Sequence, residues 1–374
     1  MKPIDLSKFK KDIKNLDKVS LGFHDPKYWV STGSFALNYM ISGHFDKGIP
    51  MGKVSLFAGQ SGSGKSYLVS GNIARNAQKE GYFVVMIDSE NALDESWLHA
   101  LGVSTDEDKL LKMNVAMIDD VAKLINDFVK SFKGEWGGTP RDERPKVLFI
   151  IDSLGMLLTP TDVNQFEEGN MKGDMGRKPK ALAALVRNCV NTFGEWDMGM
   201  VATQHSYASQ DMFDPDDKIT GGQGFIYASS IVLAMRKLKL KEDADGNKIS
   251  SVAGIRSQIK CMKTRYNKPF EQCELKIPYD TGLDPYSGLI DFFEAKGYFV
   301  KDGNRLRYTD ISGTDHKNFR KQITNELLDQ MMAEFPVWEQ KKEAEAAAAR
   351  IAEAAALAAE EAGDVAEEIN PLDD

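Results

Sequence analysis

One stretch of the sequence has the residue types and spacing that suit the binding of phosphate groups. Residues 59–66 read Gly-Gln-Ser-Gly-Ser-Gly-Lys-Ser and match G-x-x-x-x-G-K-[ST] at every position. Glycines let backbone N–H groups converge on an anion, the lysine reaches the terminal phosphates, and the serine hydroxyl holds Mg²⁺. The pattern therefore predicts an ATP and Mg²⁺ site made by Gly59, Gln60, Ser61, Gly62, Ser63, Gly64, Lys65 and Ser66.

Two carboxylates that follow apolar runs are candidates for chemistry at this site. Asp152 ends the run VLFIID, where phosphate-loop enzymes usually carry a second Mg²⁺ anchor. Glu90 lies just beyond YFVVMID and is a candidate base that orients and deprotonates an attacking water. A loop cap is the plain alternative for Asp152, and a solvated loop residue is the alternative for Glu90. The indole of Trp97 can stack on adenine, although alone it is more typical of a core residue.

The segments that must position these residues predict a sheet. Apolar strands alternate with helical stretches, which is typical of a parallel sheet covered on both faces. We therefore predict an α/β fold with a mostly parallel central sheet flanked by helices. The predicted strands are Lys53–Gly59, Tyr82–Asp88, Val147–Asp152, Met198–Gln204 and Ser229–Arg236.

Two polar segments, 159–180 and 206–224, interrupt this alternation. Both follow the carboxyl end of a predicted strand, which is where such sheets bind ligands. We predict that they are long irregular loops, and such loops are usually either functional or disordered.

The chain is expected to comprise four regions. Residues 1–45 form an N-terminal cap that serves oligomerisation, and residues 46–277 form the ATPase core with both polar segments. Residues 278–338 form a small α+β region. Residues 339–374 form an Ala/Glu-rich helix followed by an acidic tail.

Composition sets further limits. The chain has 374 residues, 42% of them hydrophobic, which suffices for one large α/β domain with appendages. The three cysteines have no CxxC spacing, which argues against a disulfide framework or a zinc site. The first residues lack the apolar run of a signal peptide, and no apolar stretch has the roughly 18 residues that span a membrane. We therefore expect a cytoplasmic protein without a membrane partner.

The formal net charge of −9 argues at first against nucleic-acid binding. The charge is concentrated in residues 339–374, where 8 Glu and 3 Asp stand against 2 Lys and 1 Arg, a net charge of −8. The other 338 residues carry about −1 and are close to neutral. A near-neutral body can carry a local basic groove, so the composition does not exclude a nucleic-acid partner.

Several motifs, in order and spacing, resemble the RecA family. They are WVSTGSFAL, GIPMGKVSLFAGQSGSGKS, VVMIDSENALDESWLHALGV, FIIDSLG and ITGGQGFIYASS. The segments TQHSYASQDMF and GLDPYSGLIDFFEAKGYFVK resemble the phage branch, the UvsX-type recombinases, more closely. The resemblance covers about Tyr28–Lys301 and implies a RecA-like ATPase core.

The resemblance also implies roles around the nucleotide. Glu90 is the catalytic base, and Asp94 and Trp97 contact adenine, with Trp97 at a position where bacterial members have Tyr. His205 falls at the sensor of the terminal phosphate, where the phage branch has His and bacterial members have Gln. On sequence alone, a His at a strand end is more typical of a structural hydrogen-bond donor.

Under this resemblance the polar segments contain two DNA-binding loops, about 159–180 and 206–222, with cations that neutralise phosphates and apolar side chains that wedge between bases. Without the resemblance, flexible loops are an equal interpretation. Arg236 and Lys237, at the end of the next strand, are expected to add positive charge to the same groove. The candidate DNA contacts are Met175, Gly176, Arg177, Lys178, Lys180, Tyr207, Met212, Phe213 and Lys218.

Lys263 and Arg265 complete the set of candidate catalytic residues. The resemblance implies that they reach into the ATP site of the neighbouring subunit and act in the manner of an arginine finger supplied in trans. Composition alone favours a solvated basic strand instead.

The resemblance implies an ATP-dependent recombinase that coats single-stranded DNA as a helical homo-filament and exchanges strands with homologous duplex DNA. A mediator protein and a single-strand-binding protein are further expected partners. Two alternatives stay open, a ring-type helicase with the same fold and a non-catalytic recombination mediator. The match through TGGQGFIYAS disfavours the helicase, and the intact Lys65, Ser66, Glu90 and Asp152 disfavour the mediator.

Deletion of residues 339–374 is expected to strengthen binding to duplex DNA at raised salt, because a tail of net charge −8 competes with phosphates for a basic groove. Fluorescence anisotropy of a labelled duplex across a salt series, with full-length and truncated chains, measures this effect. An unchanged salt dependence would leave only a solubilising role for the tail.

Overall fold

The structure is a computed structural model that describes residues 25–169, 176–207, 209, 217–242 and 247–368, with the backbone alone for 357–368. The chain divides into two compact units, Met1–Asp284 and Pro285–Asp374. The boundary expected between 338 and 339 falls inside one continuous helix, Asn325–Glu368. Within the described ranges, no helix combines the length and apolar character needed to cross a membrane.

The first unit contains eleven strands in its described residues. They are β1 Trp29–Val30, β2 Ile49–Pro50, β3 Val54–Gly59, β4 Tyr82–Asp88, β5 Leu110–Asn114, β6 Lys146–Asp152, β7 Gly199–Tyr207, β8 Lys218–Ile219, β9 Ile231–Leu240, β10 Gly254–Lys263 and β11 Gln272–Pro278.

The central sheet has the order β11-β10-β9-β3-β7-β6-β4-β5, with β8 paired to β7, while β1 and β2 form a separate ribbon. The strands from β9 to β5 in this order are parallel, and β10 and β11 extend the sheet in the antiparallel sense. The expected α/β class with a mostly parallel sheet is confirmed. The antiparallel extension was not predicted.

Helices of the first unit connect and cover these strands. They are α1 Phe35–Ser42, α2 (a π-helical part, Tyr67–Ile73, continued by the α-helical Ala74–Lys79), α3 Glu95–Ala100, α4 Ile118–Trp136, α5 Pro160–Glu167, α6 Arg177–Trp196 and α7 Gln223–Ala228, with single 3₁₀ turns at Arg141–Glu143 and Leu154–Met156.

The core of this unit lies between the sheet and its helices. Every residue of β3 is buried, as expected for a strand whose two faces are both covered. On one face, Val121 and Phe132 of α4 and Phe193 of α6 pack in one apolar cluster with β6. The rings of Phe149 and Phe193 stack with centroids 5.1 Å apart. This packing fixes the strands whose carboxyl ends carry the candidate site.

In the described part of the segment 159–180, which leaves out 170–175, most residues are helical, so the predicted long irregular loop is wrong there. The Thr159 hydroxyl accepts from the Asp162 N–H at 3.3 Å, and the Asp162 carboxylate accepts from the Thr159 N–H at 2.7 Å. With Pro160 in the first turn, this capping box starts α5. The sequence Thr-Pro-Thr-Asp carried this signal. The second helix, α6, begins just after Gly176, whose φ is 82°.

The described residues of the segment 206–224 also contain more regular structure than predicted. The strand predicted to end at Gln204 continues as β7 to Tyr207, and β8 pairs with its last residues. A short helix, α7, then begins at Gln223. Residues 208 and 210–216 lie outside the described residues. The wrong strand end arose because the polar residues after Gln204 interrupt the apolar run.

The second unit is built from an antiparallel meander and two α-helices in its described residues. Its aromatic core includes Phe293, Tyr298 and Phe335, and the rings of Phe293 and Phe335 lie 5.2 Å apart. Its elements are α8 Leu289–Lys296, β12 Val300–Asp302, β13 Arg305–Thr309, β14 Asp315–Phe319, a 3₁₀ turn at Arg320–Gln322 and α9 Asn325–Glu368.

Candidate functional site

The glycine-rich loop joins the end of β3 to the start of α2. Gly62 has φ 72° and Gly64 has φ 93°, which are left-handed values that favour glycine. Lys65 is 7% exposed, and its Nζ donates to the Gln60 carbonyl at 2.9 Å. The loop thus curls around the lysine, which is the arrangement expected of a phosphate cradle.

Strand β9 and the antiparallel strand β10 both contact this loop. Gly59 pairs with Met235 of β9, and a Cβ on Gly59 would lie 2.5 Å from the Met235 carbonyl oxygen. The Ser257 hydroxyl of β10 donates to the Ser63 carbonyl at 2.8 Å. The loop is therefore held by strands that sequence reasoning did not connect to it.

Burial lowers the pKa of Lys65, and the negative charges of Asp152 and Glu90 partly oppose that effect. The three side chains therefore share one electrostatic environment. Because burial disfavours the ammonium, an arriving phosphate would restore much of the favourable energy of the charged form.

Asp152 is the buried carboxylate of the site. It is 3% exposed, and its two oxygens accept hydrogen bonds from Ser70, at 3.0 Å, and from Thr203. These bonds leave further lone pairs on hard oxygens, so the donor set of Ser66 and Asp152 fits Mg²⁺, which protein sites usually hold through one or two side chains plus phosphates. Neither Ser70 nor Thr203 was singled out from the sequence.

Glu90 lies where three strand ends converge. Its Oε1 accepts from the Ser153 hydroxyl at 2.7 Å, and the Nε2 of His205 lies 3.2 Å from the same oxygen. His205 pairs with Gly59 across β3 and β7, so it stands at the start of the phosphate loop. The structure therefore brings together three of the predicted residues, Glu90, His205 and Lys65.

Asp88 is a residue of the site that sequence reasoning missed. It is 1% exposed and accepts backbone N–H bonds from Glu90 at 3.1 Å and Leu93 at 3.0 Å. Lys112 of β5 lies 3.2 Å from it. The aspartate thus shapes the turn that carries Glu90. Its position at a strand end, aligned with Asp152 on the neighbouring strand, was the available signal.

The candidate adenine contacts lie on the next helix along the chain. Asp94 is the exposed N-cap residue of α3, and Trp97 is half-buried on its first turns. The side chain of Asp94 does not cap the helix. Both residues are close in sequence to the Glu90 turn, and their part in base binding stays a prediction.

Two described cations of the first candidate DNA loop, Arg177 and Lys178, have partners within the chain. Arg177 donates to the Thr161 hydroxyl at 2.9 Å, and Lys178 donates to the Gly155 carbonyl at 2.7 Å. Lys180 is exposed on the first turn of α6, after the half-buried Gly176. Met175 lies outside the described residues. Lys178 therefore ties α6 to the turn after β6, close to the carboxylates.

In the second candidate DNA loop, Tyr207 is 58% exposed and pairs with Lys218 across β7 and β8. Met212 and Phe213 lie outside the described residues. Next to the paired strands β7 and β8, the buried Gln204 donates to the Thr220 carbonyl at 2.8 Å. The chain thus leaves the sheet at His205 and returns beside it, so the candidate DNA surface adjoins the phosphate site.

Lys263 and Arg265 lie at the opposite edge of the sheet from the phosphate loop of their own chain. Lys263 ends β10, pairs with Val232 near the start of β9, and donates to the Tyr227 carbonyl at 2.6 Å. Arg265 is exposed, and its charge helps to lower the pKa of Lys53, after the larger effect of burial. Lys53 precedes β3, whose far end is the loop, about 20 Å away at the usual rise per residue.

Comparison with known proteins decides the family. The sequence profile of the RecA N-terminal domain matches residues 6–284, which is more than half of the chain. This chain belongs to the RecA family. The matched region ends at Asp284, the residue that also closes the first compact unit.

Relatives from the RecA family extend the match beyond this domain. Protein RecA of Cutibacterium acnes is 27% identical over 315 residues, covering 81% of this chain and 82% of the relative. Protein RecA of Leptospira biflexa is 27% identical over 320 residues, covering 84% and 74%. Protein RecA of Streptomyces venezuelae is 27% identical over 300 residues, covering 79% and 72%.

Binding of ATP is expected to take up protons at alkaline pH. The pKa of Lys65 lies below its ordinary value of 10.5 because of burial, so between that lowered pKa and 10.5 the free site is partly neutral. A bound phosphate favours the ammonium, so uptake should grow as pH rises through this window. Calorimetry in buffers of different ionisation enthalpy measures it.

The matched control for this measurement is Lys65→Arg, because a guanidinium stays charged throughout the window. That variant should bind without the buffer-dependent heat. Equal proton uptake by both proteins would mean that another group takes the proton.

Proposed function

We propose that this chain is an ATP-dependent DNA recombinase, which forms a helical filament on single-stranded DNA and exchanges strands with homologous duplex DNA. The observation that carries the proposal is the distance, within one chain, between the phosphate loop and the two cations Lys263 and Arg265. The phosphate loop lies at one edge of the sheet, and Lys263 with Arg265 lies at the other. A subunit cannot join them by itself, whereas a head-to-tail neighbour can.

The chemistry proposed for the site is ATP hydrolysis. Glu90 would orient the attacking water and accept its proton, with Ser153 and His205 holding its carboxylate in place. Mg²⁺, when bound by Ser66 and Asp152, would neutralise charge on the phosphates. Lys65 would stabilise the same charge from within the loop, and Lys263 and Arg265 of a neighbouring subunit would do so from outside.

DNA is proposed to bind at the two loops that follow β6 and β7. The second loop begins directly after His205, which contacts Glu90, so DNA on this loop and nucleotide on the phosphate loop would act on one cluster. Lys180 and Tyr207 offer an exposed cation and an exposed ring, which suit phosphate neutralisation and base stacking. Membership of the RecA family supports this proposal.

Within the family, we propose that the chain belongs to the phage branch of UvsX-type recombinases and works in the cytoplasm of a host cell. His205 at the sensor position and the run TQHSYASQDMF support this assignment. A mediator protein and a single-strand-binding protein are the further partners that such a role would require.

The proposed function is tested with Lys65→Ala, which should abolish strand exchange because the loop loses its central cation. The exposed Lys79→Ala at the end of α2 is the control and should exchange strands normally. Negative-stain electron microscopy of the unmodified protein on single-stranded DNA, with and without ATP, should reveal helical filaments. Rings would favour a helicase, and normal exchange by Lys65→Ala would refute the mechanism.

The shared site predicts complementation. Arg265→Ala should lose ATP turnover and filament assembly together, and mixing it equally with Lys65→Ala should restore about a quarter of the interfaces, those that combine two intact halves. DNA-stimulated phosphate release measures the recovery.

A mixture of Lys65→Ala with Ser66→Ala is the control, because both defects lie in the same half of the site. It should stay inactive. Full activity of Arg265→Ala alone would rule out the trans role.

A further inference from the structure

The end of β9 carries two adjacent cations beside the phosphate loop. β3 ends where Gly59 pairs with Met235, but β9 continues to Leu240 alongside β10. Arg236 and Lys237 therefore stand beyond the last paired residue of β3. Successive residues of a strand point to opposite faces, so these two side chains leave β9 on different sides.

Lys237 points to the phosphate loop. Its Nζ lies 2.9 Å, and its Cδ 3.5 Å, from the position that a Cβ would occupy on Gly62. Its cross-strand partner is Ser257, whose hydroxyl bonds to the Ser63 carbonyl at 2.8 Å. Lys237 makes no hydrogen bond or ion pair within the part of the chain that the structure describes. An ammonium is thus held against the loop without an anion.

Arg236 faces the second DNA loop. Its Nη2 lies 3.0 Å from the Asp217 carboxylate, whose side chain is 5% exposed. Asp217 immediately precedes β8, the strand that pairs with the last residues of β7. One strand end therefore contacts the DNA loop through Arg236 and the phosphate loop through Lys237.

We propose that Lys237 is a second cation of the ATP site, supplied by the same subunit, and that the Arg236–Asp217 ion pair links its position to the second DNA loop. The inference rests on the proposed function, in which that loop binds DNA. Lys237, which was expected to add positive charge to the DNA groove, is thereby assigned to the ATP site. The triphosphate brings several negative charges to the loop, and Lys65 is the single cation that the motif itself provides.

The test measures the affinity of the full-length chain for AMP-PNP, a non-hydrolysable ATP analogue, by calorimetry with and without single-stranded DNA. Lys237→Met keeps the length of the side chain and removes its charge, and should weaken analogue binding about fivefold, as expected for one partly solvated charge contact. Lys237→Arg should recover most of the loss. Lys239→Met, two residues further along the same strand face, is the control and should bind normally.

The link to DNA is tested with Asp217→Asn, which should reduce the ratio of the analogue affinities measured with and without single-stranded DNA. A wild-type ratio in this variant would overturn the link. Circular dichroism and thermal melting identify any variant that is misfolded.

The outcomes separate this inference from the proposed function. Lys237→Met that binds the analogue normally but loses affinity for DNA would overturn the inference and return Lys237 to the DNA groove. The analogue affinity without DNA tests the role of Lys237 even if the wild-type chain has no DNA-stimulated ATPase. The absence of DNA-stimulated ATPase activity in the wild-type chain would refute the proposed function and would leave the role of Lys237 in nucleotide binding intact.

Discussion

The pairing of β3 with its two parallel neighbours is the interaction on which the site depends. It sets Gly59 beside His205 on one side and Met235 on the other. Backbone hydrogen bonds fix this register, and a shift of one residue would turn every side chain to the opposite face. The loop, His205 and the supporting strand therefore hold their relative positions through main-chain contacts that no single side chain provides.

Two buried carboxylates lie at the same edge of the sheet, where the parallel strands end. Asp88 and Asp152 lie side by side at the ends of β4 and β6, where an unpaired charge would be costly. Asp88 is stabilised by backbone N–H groups and Lys112, and Asp152 by two hydroxyls. The carboxylate of Asp88 accepts backbone N–H bonds that shape the turn carrying Glu90. The carboxylate of Asp152 accepts hydrogen bonds from two hydroxyl groups and keeps further lone pairs available. Two similar residues at one edge thus differ in role because their donors differ.

Much of this arrangement was readable from the sequence because its signals are local. The phosphate loop is contiguous, and an apolar run ending in a carboxylate locates Asp152 and the strand before Glu90. Helix α5 was not predicted although its capping box is local, because the glycines and polar residues around it are also typical of irregular loops. The support of the loop by Ser257 could not be predicted, because it joins residues 194 positions apart through a strand pairing.

The placement of the loop and the basic pair at opposite ends of β3 also gives an assembly a direction. In the proposed filament, a head-to-tail row of subunits would have one terminal subunit whose loop faces no cations and another whose cations face no loop. Such a row would contain one complete site fewer than it has subunits. Short rows would be dominated by their ends, so turnover per subunit would rise with length until the ends become negligible, and the two ends would offer different surfaces for growth.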